Sequence, residues 1–485
     1  MAGRHRWTRL LWLAVLATGC GGGDGGSDSG GMDGGMDAAS DVPDASADGS
    51  DDAALDGPSA DAAEPDAGPM SCTEGCGIVE VAAGMLHTCA RRANGEVLCW
   101  GGNFYRQLGD GRRGHGRDCA RGSTGEREDC TPTPVVTALP GPAAALFAGG
   151  GFATCALLDS ESPSRILCWG RSPEQEPSGM ATLLRETPEA NASFDGAQWA
   201  ATNGFTECAV TNGEVRCWGT NSRGQLGLGG DDFMWRNEVV AMSLDDTVSP
   251  RRVEVASGPH APFSCVLAAE GVWCTGSNRY GQLGDGTTDH GQSCGAMGLA
   301  DDCSSTPVQV SGLDDTVADL ALGRDHACVL VGSERELRCW GRATAGQLGV
   351  SLDDGLTREP IVPSGAAFQG FTQIEAGGYF TCGRTADGEV RCWGSNRFGQ
   401  LGDGLTDHGT VCDITNRVRD DCSIEPVTVA LPTGRTAVDL AVGYRHACAA
   451  LDDGTVACWG DNDAFQVGDD TDRGKHPSPM VLTFP

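Results

Sequence analysis

The chain is 485 residues long with a formal net charge of −33, from 67 acidic and 34 basic side chains, and Lys475 is its single lysine. A nucleic-acid binder needs a basic face to neutralise phosphate, so this balance argues against DNA and RNA as partners. It argues equally against attachment to a strongly anionic membrane surface.

At the N-terminus, Arg4, Arg6 and Arg9 precede a short apolar run from Leu10 to Ala17. The run is too short to span a bilayer and reads as an export signal over residues 1–19. It leads into Ala17-Thr18-Gly19-Cys20, which resembles a bacterial lipoprotein signal. The resemblance implies lipidation of Cys20 as the mature N-terminus, with the membrane met through that lipid alone. The other reading is an ordinary secretory cut near Cys20. Gly21, standing where no Asp follows the cysteine, points by analogy with other lipoproteins to the outer membrane or cell surface as the place in the cell envelope. Residues 20–70 follow as a tether: thirteen carboxylates and no Lys or Arg lie between Gly21 and Met70. Such a segment has too little apolar surface to repay the entropy of ordering, and its charges repel one another.

Residues 71–485 form the folded body, and one pattern recurs there. It reads HTCARRANGEVLCWG from His87 to Gly101 and returns in seven copies, with first cysteines at Cys89, Cys155, Cys208, Cys265, Cys328, Cys382 and Cys448. An apolar run ending in Gly precedes each cysteine unit, as in Val79–Gly84 and Ala318–Gly323. Gly-Gln-Leu-Gly-Asp-Gly or a relative often follows, and a Pro-x-Val type segment closes the unit. Four short strands bounded by Gly, Asn and Asp, repeated seven times, predict an all-β, seven-bladed propeller of four-stranded blades.

The cysteines fit this pattern as staples across hairpins. Asn212-Gly213 is the preferred two-residue hairpin turn, and pairing outward from it sets Cys208 opposite Cys217 at a non-hydrogen-bonded site. The same reasoning pairs Cys89 with Cys99, Cys155 with Cys168, Cys265 with Cys274, Cys328 with Cys339, Cys382 with Cys392 and Cys448 with Cys458. Turns at Asn94-Gly95, Asp387-Gly388 and Asp453-Gly454 call for a three-residue loop with a bulge glycine. Insertions after the Gly-Asp-Gly turns add Cys119 with Cys130, Cys294 with Cys303 and Cys412 with Cys422. Cys72 and Cys76 make a further pair, and Cys20 is left over. Disulfides on this scale need an oxidising compartment. Zinc is poorly served by nine or ten intervening residues, and no metal or cofactor is called for.

Gly84, His87, Gly95, Val97, Trp100, Gly101, Asn103, Gln107, Leu108 and Gly109 match in order the repeat of the regulator of chromosome condensation family, as do Gly388 to Gly402. The chain resembles that family from about Ile78 to Pro485, which implies the seven-bladed propeller. It departs in its cysteines, in a degenerate second copy, and in Trp273-Cys274-Thr275 of the fourth.

The recurring Trp100, Trp169, Trp218, Trp340, Trp393 and Trp459 read as blade-packing residues. His87, His326 and His446 read as buried histidines bonded to a neighbouring loop backbone. Asp110, Asp285 and Asp403 read as turn residues, since the carboxylate ladder of a calcium loop is lacking. No catalytic motif is present. The family's best-known member is a nuclear exchange factor that binds chromatin, a role at odds with an acidic, exported chain. Secreted bacterial members include β-lactamase inhibitors that bind a protein across one propeller face. The expectation is a monomeric scaffold, not an enzyme, that binds a protein or polysaccharide through one loop face. Phe233, Met234 and Trp235 lie in an insertion there and are its candidate anchors. The alternative is an envelope enzyme acting on glycans within the propeller channel. Its mark would be non-repeating carboxylates on inner strands; Glu80, Glu254 and Glu375 sit near such strands and read as repeating.

Overall fold

The computed structural model describes residues 77–121, 127–158, 163–175, 182–230, 233–257, 262–294, 301–313, 315–415 and 418–484. Cys20, Cys72 and Cys76, with the signal and tether, lie outside the described residues. Seven antiparallel sheets follow one another along the chain, each with its first three strands in sequence order from the inside out. The inner strands are Ile78–Ala83, Ala145–Phe147, Ala197–Thr202, Pro250–Val255, Val317–Leu322, Phe371–Ala376 and Ala437–Val442. In blades 1, 4 and 6 a short extra strand pairs with a lengthened outer strand, making five.

The hairpin between the second and third strands follows from its turn. Asn212 and Gly213 have φ of 54° and 82°, and Cys208 faces Cys217 in the ladder. The seven hairpin pairs are bonded with Cα atoms 4.0–4.1 Å apart. In blade 1 the Arg92 and Gly95 backbone bonds enclose the three-residue loop with Gly95 at φ 85°. Strand alternation alone sets this geometry, because a non-hydrogen-bonded cross-strand pair brings Cα atoms within disulfide reach.

The hydrophobic core lies between blades. One buried cluster fills each of the seven junctions, and the repeat supplies the polar joinery. Trp100, Trp169, Trp340, Trp393 and Trp459 each donate their indole N–H to the carbonyl of Gln466, Gln107, Gln282, Gln347 and Gln400 in the preceding blade, at 2.8–3.0 Å. In blade 4, Thr275 stands opposite Ser264 where the others carry tryptophan, and its hydroxyl donates to the Gly224 carbonyl instead.

The histidines differ from expectation. Nε2 of His87, His326 and His446 lies 2.7–2.9 Å from the hydroxyl of Thr154, Thr381 and Thr88, in the second strand of the next blade. The partner is a side chain one repeat away, not a loop backbone. Full burial pulls these imidazoles down to a pKa of about 3, so they are neutral. The ring closes by the same contacts, with His446 reaching Thr88 and Trp100 reaching Gln466. Among the described residues, no strand is exchanged between the first and last blades.

Candidate binding face

Antiparallel order places the turns between strands one and two at the same end of the ring as the connections between strands three and four. This loop end carries the three cysteine insertions. Each finger is closed by its disulfide, with Cα atoms 5.8–5.9 Å apart. Each is also tied at its base. His115 lies 2.9 Å from Asp110 and 2.7 Å from Asp129. His290 bridges Asp285 and Asp302 in the same way, and His408 bridges Asp403 and Asp421. Asn103, Asn278 and Asn396 donate to the second carboxylate of each clasp at 2.8–2.9 Å. The hydrogen bonds that His115 donates to Asp110 and Asp129 raise its pKa to about 9. Burial works against the charge on His408, but its bonds to Asp421 and Asp403 outweigh that and raise its pKa too. The aspartates of the Gly-Asp-Gly turns therefore hold histidines. The signal was present in the sequence as Asp followed five residues later by His, three times over.

Each finger leans on the preceding blade. The Cys119–Cys130 bridge packs on Ala464 and Phe465 of blade 7. The Cys412–Cys422 bridge packs on Ala345 of blade 5. Arg223 of blade 3 donates to the Cys294 carbonyl and pairs with Asp301. Phe233, Met234 and Trp235 stand just before the outer strand of blade 3, Arg236–Ala241. Met234 is 69% exposed, whereas Phe233 and Trp235 are half-buried. The loop that carries them meets the blade 4 finger, where Gln292 donates to the Gly230 carbonyl at 3.0 Å.

Between fingers and channel runs a belt of partly exposed aromatic rings and of arginines, of which Arg342 is buried. Arg342 lies 4.9 Å from the Tyr280 ring and 5.4 Å from the Tyr379 ring. Arg324 bonds the hydroxyls of Tyr379 and Tyr444. Arg445 sits 4.4 Å over Phe398. Arg171 sits 3.8 Å over Phe205, beside Tyr105 and Phe152. Tyr, Phe and Arg are the residues that binding surfaces favour.

The channel is the second candidate. Its cavity of about 210 Å³ is lined by inner-strand residues including Glu80, Trp199, Arg252, Glu254, Asp319, Gln373, Glu375 and Asp439. Strand register separates two carboxylate positions. Glu80, Asp319 and Asp439 each stand two residues before the residue opposite the second-strand cysteine. They accept the backbone N–H of Leu146, Ile374 and Val81 of the next blade at 2.9–3.0 Å. They are repeating inter-blade clasps. Glu254 and Glu375 instead stand directly opposite Cys265 and Cys382. The other blades have Ala82, Phe147, Ala201, Ala321 and Ala441 there. The expectation that all three glutamates repeat by position is therefore corrected for Glu254 and Glu375. Arg252 bonds Glu254 at 2.5 Å and Asp319 at 2.7 Å and stacks on Trp199. Burial raises the pKa of Glu254, with Arg252 opposing it. Burial pushes Glu375 well above the usual carboxylate range and Asp439 to about 6.

With the blades and their joints in place, sequence comparisons find a known repeat in this chain. Regulator of chromosome condensation (RCC1) repeats match residues 78–107, 371–400 and 437–466, and, in a second form, 270–330 and 387–450. The chain is an RCC1-repeat propeller. Among curated relatives, this propeller is 27% identical over 404 residues to the ultraviolet-B receptor UVR8 of Arabidopsis thaliana, covering 82% of this chain and 80% of that one. It is 29% identical over 280 residues to the human E3 ubiquitin-protein ligase HERC2, covering 56% of this chain and 5% of HERC2. Among solved structures, the RCC1-repeat propeller superposes on yeast RCC1 (Prp20) bound to Kap60 with a TM-score of 0.62 at 20% identity, over 80% of this chain and 84% of that one. Human WBSCR16 gives 0.61 at 18% identity, over 80% and 94%. At these identities the structures attest the fold alone.

Proposed function

We propose that this propeller is a protein-binding scaffold that presents its loop end to a macromolecular partner from the cell envelope, anchored through Cys20. The observation that carries the reading is the loop end itself. Three disulfide-closed, histidine-clasped fingers are braced on neighbouring blades around an aromatic–arginine belt. Such rigidity lowers the ordering cost of association. Related propellers are described as bound to Kap60 and as having binding properties toward Gsp1p and histones, which supports a protein over a polysaccharide. The charge of −33 argues against a histone-like role on nucleic acid.

The test is hydroxyl-radical footprinting of the protein in intact envelopes against the purified form. Protection is expected at the three fingers and around Met234, and protection confined to the hairpin end would overturn the reading. Once the partner is in hand, changing Phe233 and Trp235 together to Ala is expected to weaken binding at least tenfold, about 1.4 kcal/mol. Replacing Cys20 by Ala is expected to release the protein from membranes; unchanged partition would remove the anchor from the proposal.

A glycan-processing channel is the second reading, favoured by Glu254 and Glu375 at a position other blades leave apolar. Against it, Arg252 already holds Glu254, and the cavity of about 210 Å³ falls below the usual range of roughly 300–1,000 Å³ for ligand pockets. Glycan hydrolysis abolished by Glu375→Gln would reverse this preference.

A further inference from the structure

Two positions face each other at the mouth of every blade: the residue just before the second-strand hairpin, and the residue two beyond the Trp position. One backbone hydrogen bond identifies them throughout. It runs from Gly102 to Leu86, Arg171 to Phe152, Thr220 to Phe205, Ser277 to Pro262, Arg342 to Asp325, Ser395 to Tyr379, and Asp461 to Arg445, at 2.7–3.1 Å. In blade 5 the two side chains form an ion pair, Arg342 to Asp325 at 3.4 Å. In blade 7 the pair is reversed, Arg445 to Asp461 at 4.0 Å. In blade 2 the arginine is present and the acid is not, because Phe152 occupies the place of Asp325.

Arg171 therefore has no carboxylate partner among the described residues, in a chain with 67 acidic side chains. Its guanidinium lies 3.8 Å from the centre of the Phe205 ring and 5.4 Å from that of Tyr105. Its Nε is buried without a hydrogen-bond partner. Phe152 packs on both aromatic neighbours, 4.5 Å from Tyr105 and 6.3 Å from Phe205. Burial lowers the Arg171 pKa, as expected of a cation with no anion beside it. An unpaired, partly desolvated guanidinium is costly unless something completes it.

We propose that the Arg171 site, walled by Tyr105, Phe152 and Phe205, receives an aspartate or glutamate side chain of a protein partner, flanked on that partner by an apolar residue. A guanidinium fork offers planar bidentate bonding to a carboxylate, and its stacked ring keeps the fork oriented. The apolar walls suit a single carboxylate beside a hydrophobic side chain better than a polyanion, which the acidic body repels more strongly. At physiological ionic strength a Debye length of about 8 Å leaves a short-range contact open despite that body. This inference rests on the loop end being the binding face.

The test uses the intact, disulfide-bonded protein labelled uniformly with ¹⁵N, so that arginine Nε–H groups and backbone amides are both observed. It is titrated with N-acetyl-glutamyl-leucine amide, with the glutaminyl analogue, and with inorganic phosphate. The expected result is a saturable shift of the Arg171 Nε–H resonance with the glutamyl probe, none with the glutaminyl one, and a still Arg342. Followed at the Phe205 amide, affinity is expected to fall at least tenfold in Arg171→Gln. It should also fall at least tenfold in Phe152→Asp, which restores the blade 5 arrangement, while amide spectra elsewhere report an intact fold. An unmoved Arg171, equal movement of Arg342, a response to phosphate alone, or affinity retained in Arg171→Gln each overturns the proposal. If that happens while the envelope footprint stays at the loop end, this inference alone fails. A footprint at the hairpin end removes the reading beneath it.

Discussion

Gly402 separates two costs that a glycine can hide. Its φ is +73°, and a Cβ there would lie 2.6 Å from two atoms of the Trp459 indole. Trp459 is fully buried in the junction between blades 6 and 7. Its N–H donates at 3.0 Å to the Gln400 carbonyl, two residues before that glycine. Gly402→Ala therefore meets a left-handed backbone, costing about 1–2 kcal/mol, and overpacking of a well-filled site, costing a further 1–3 kcal/mol or roughly so. Gly434 is the control, with φ +78° and nothing within 4 Å of an added Cβ. Gly434→Ala carries only the first cost. Urea unfolding under non-reducing conditions should place Gly402→Ala below Gly434→Ala by about 1–3 kcal/mol. Exchange of the Trp459 indole proton should quicken only in the former. Equal stabilities, or an unchanged indole, would refute the claim that the glycine after Gln400-Leu401 is there to seat the next blade's tryptophan.

Acid should loosen the ring. His87, His326 and His446 have folded pKa values of about 3 against an ordinary 6.5, so their stabilising neutral form is complete above 6.5 and lost as pH falls toward 3. Each then removes about 1.4 kcal/mol per pH unit, and His326→Gln is expected to flatten the measured slope by its own share. His115 runs the other way. With a folded pKa raised to about 9, its clasp stabilises fully below 6.5 and fades as pH rises through 9. His115→Gln should therefore destabilise at pH 6 and be nearly neutral at pH 10, as read by thermal melts. Replacing Cys208 and Cys217 together by Ala opens a loop of sequence separation 9 and is expected to cost about 2–3 kcal/mol. Undiminished stability in that variant would contradict the staple.

What the sequence made legible was whatever is local. The Cys208–Cys217 pairing follows from a turn two residues long, and the other hairpins follow by repetition. The blade-packing role of the tryptophans followed from their recurrence. Their acceptors did not, because the Gln carbonyls lie 46 to 366 residues away. The histidines were misassigned for the same reason: Thr154 is 67 positions from His87. The finger clasps were nearer to hand, since Asp110 and His115 are five apart, yet the second carboxylate, Asp129, sits across an insertion of variable length. Glu80 and Glu254 looked alike because positions two residues apart share one face of a strand, and only a partner strand fixes the register. Only the ladder shows that one belongs to the clasps and the other does not.

The closure of the ring has a consequence for how the chain could be rewired. The junction between blades 7 and 1 uses the same tryptophan and histidine joints as those between blades 1 and 2 and between blades 5 and 6, and every blade is contiguous in sequence. Among the described residues no junction is privileged by a shared strand. A circular permutant that joins Phe484 to Gly77 through a connector like Thr137–Ala144, and opens instead between two other blades, keeps every hydrogen-bonded ladder intact. The order of the blades around the axis is then a property of the circle, and the point at which the polypeptide starts is free to vary.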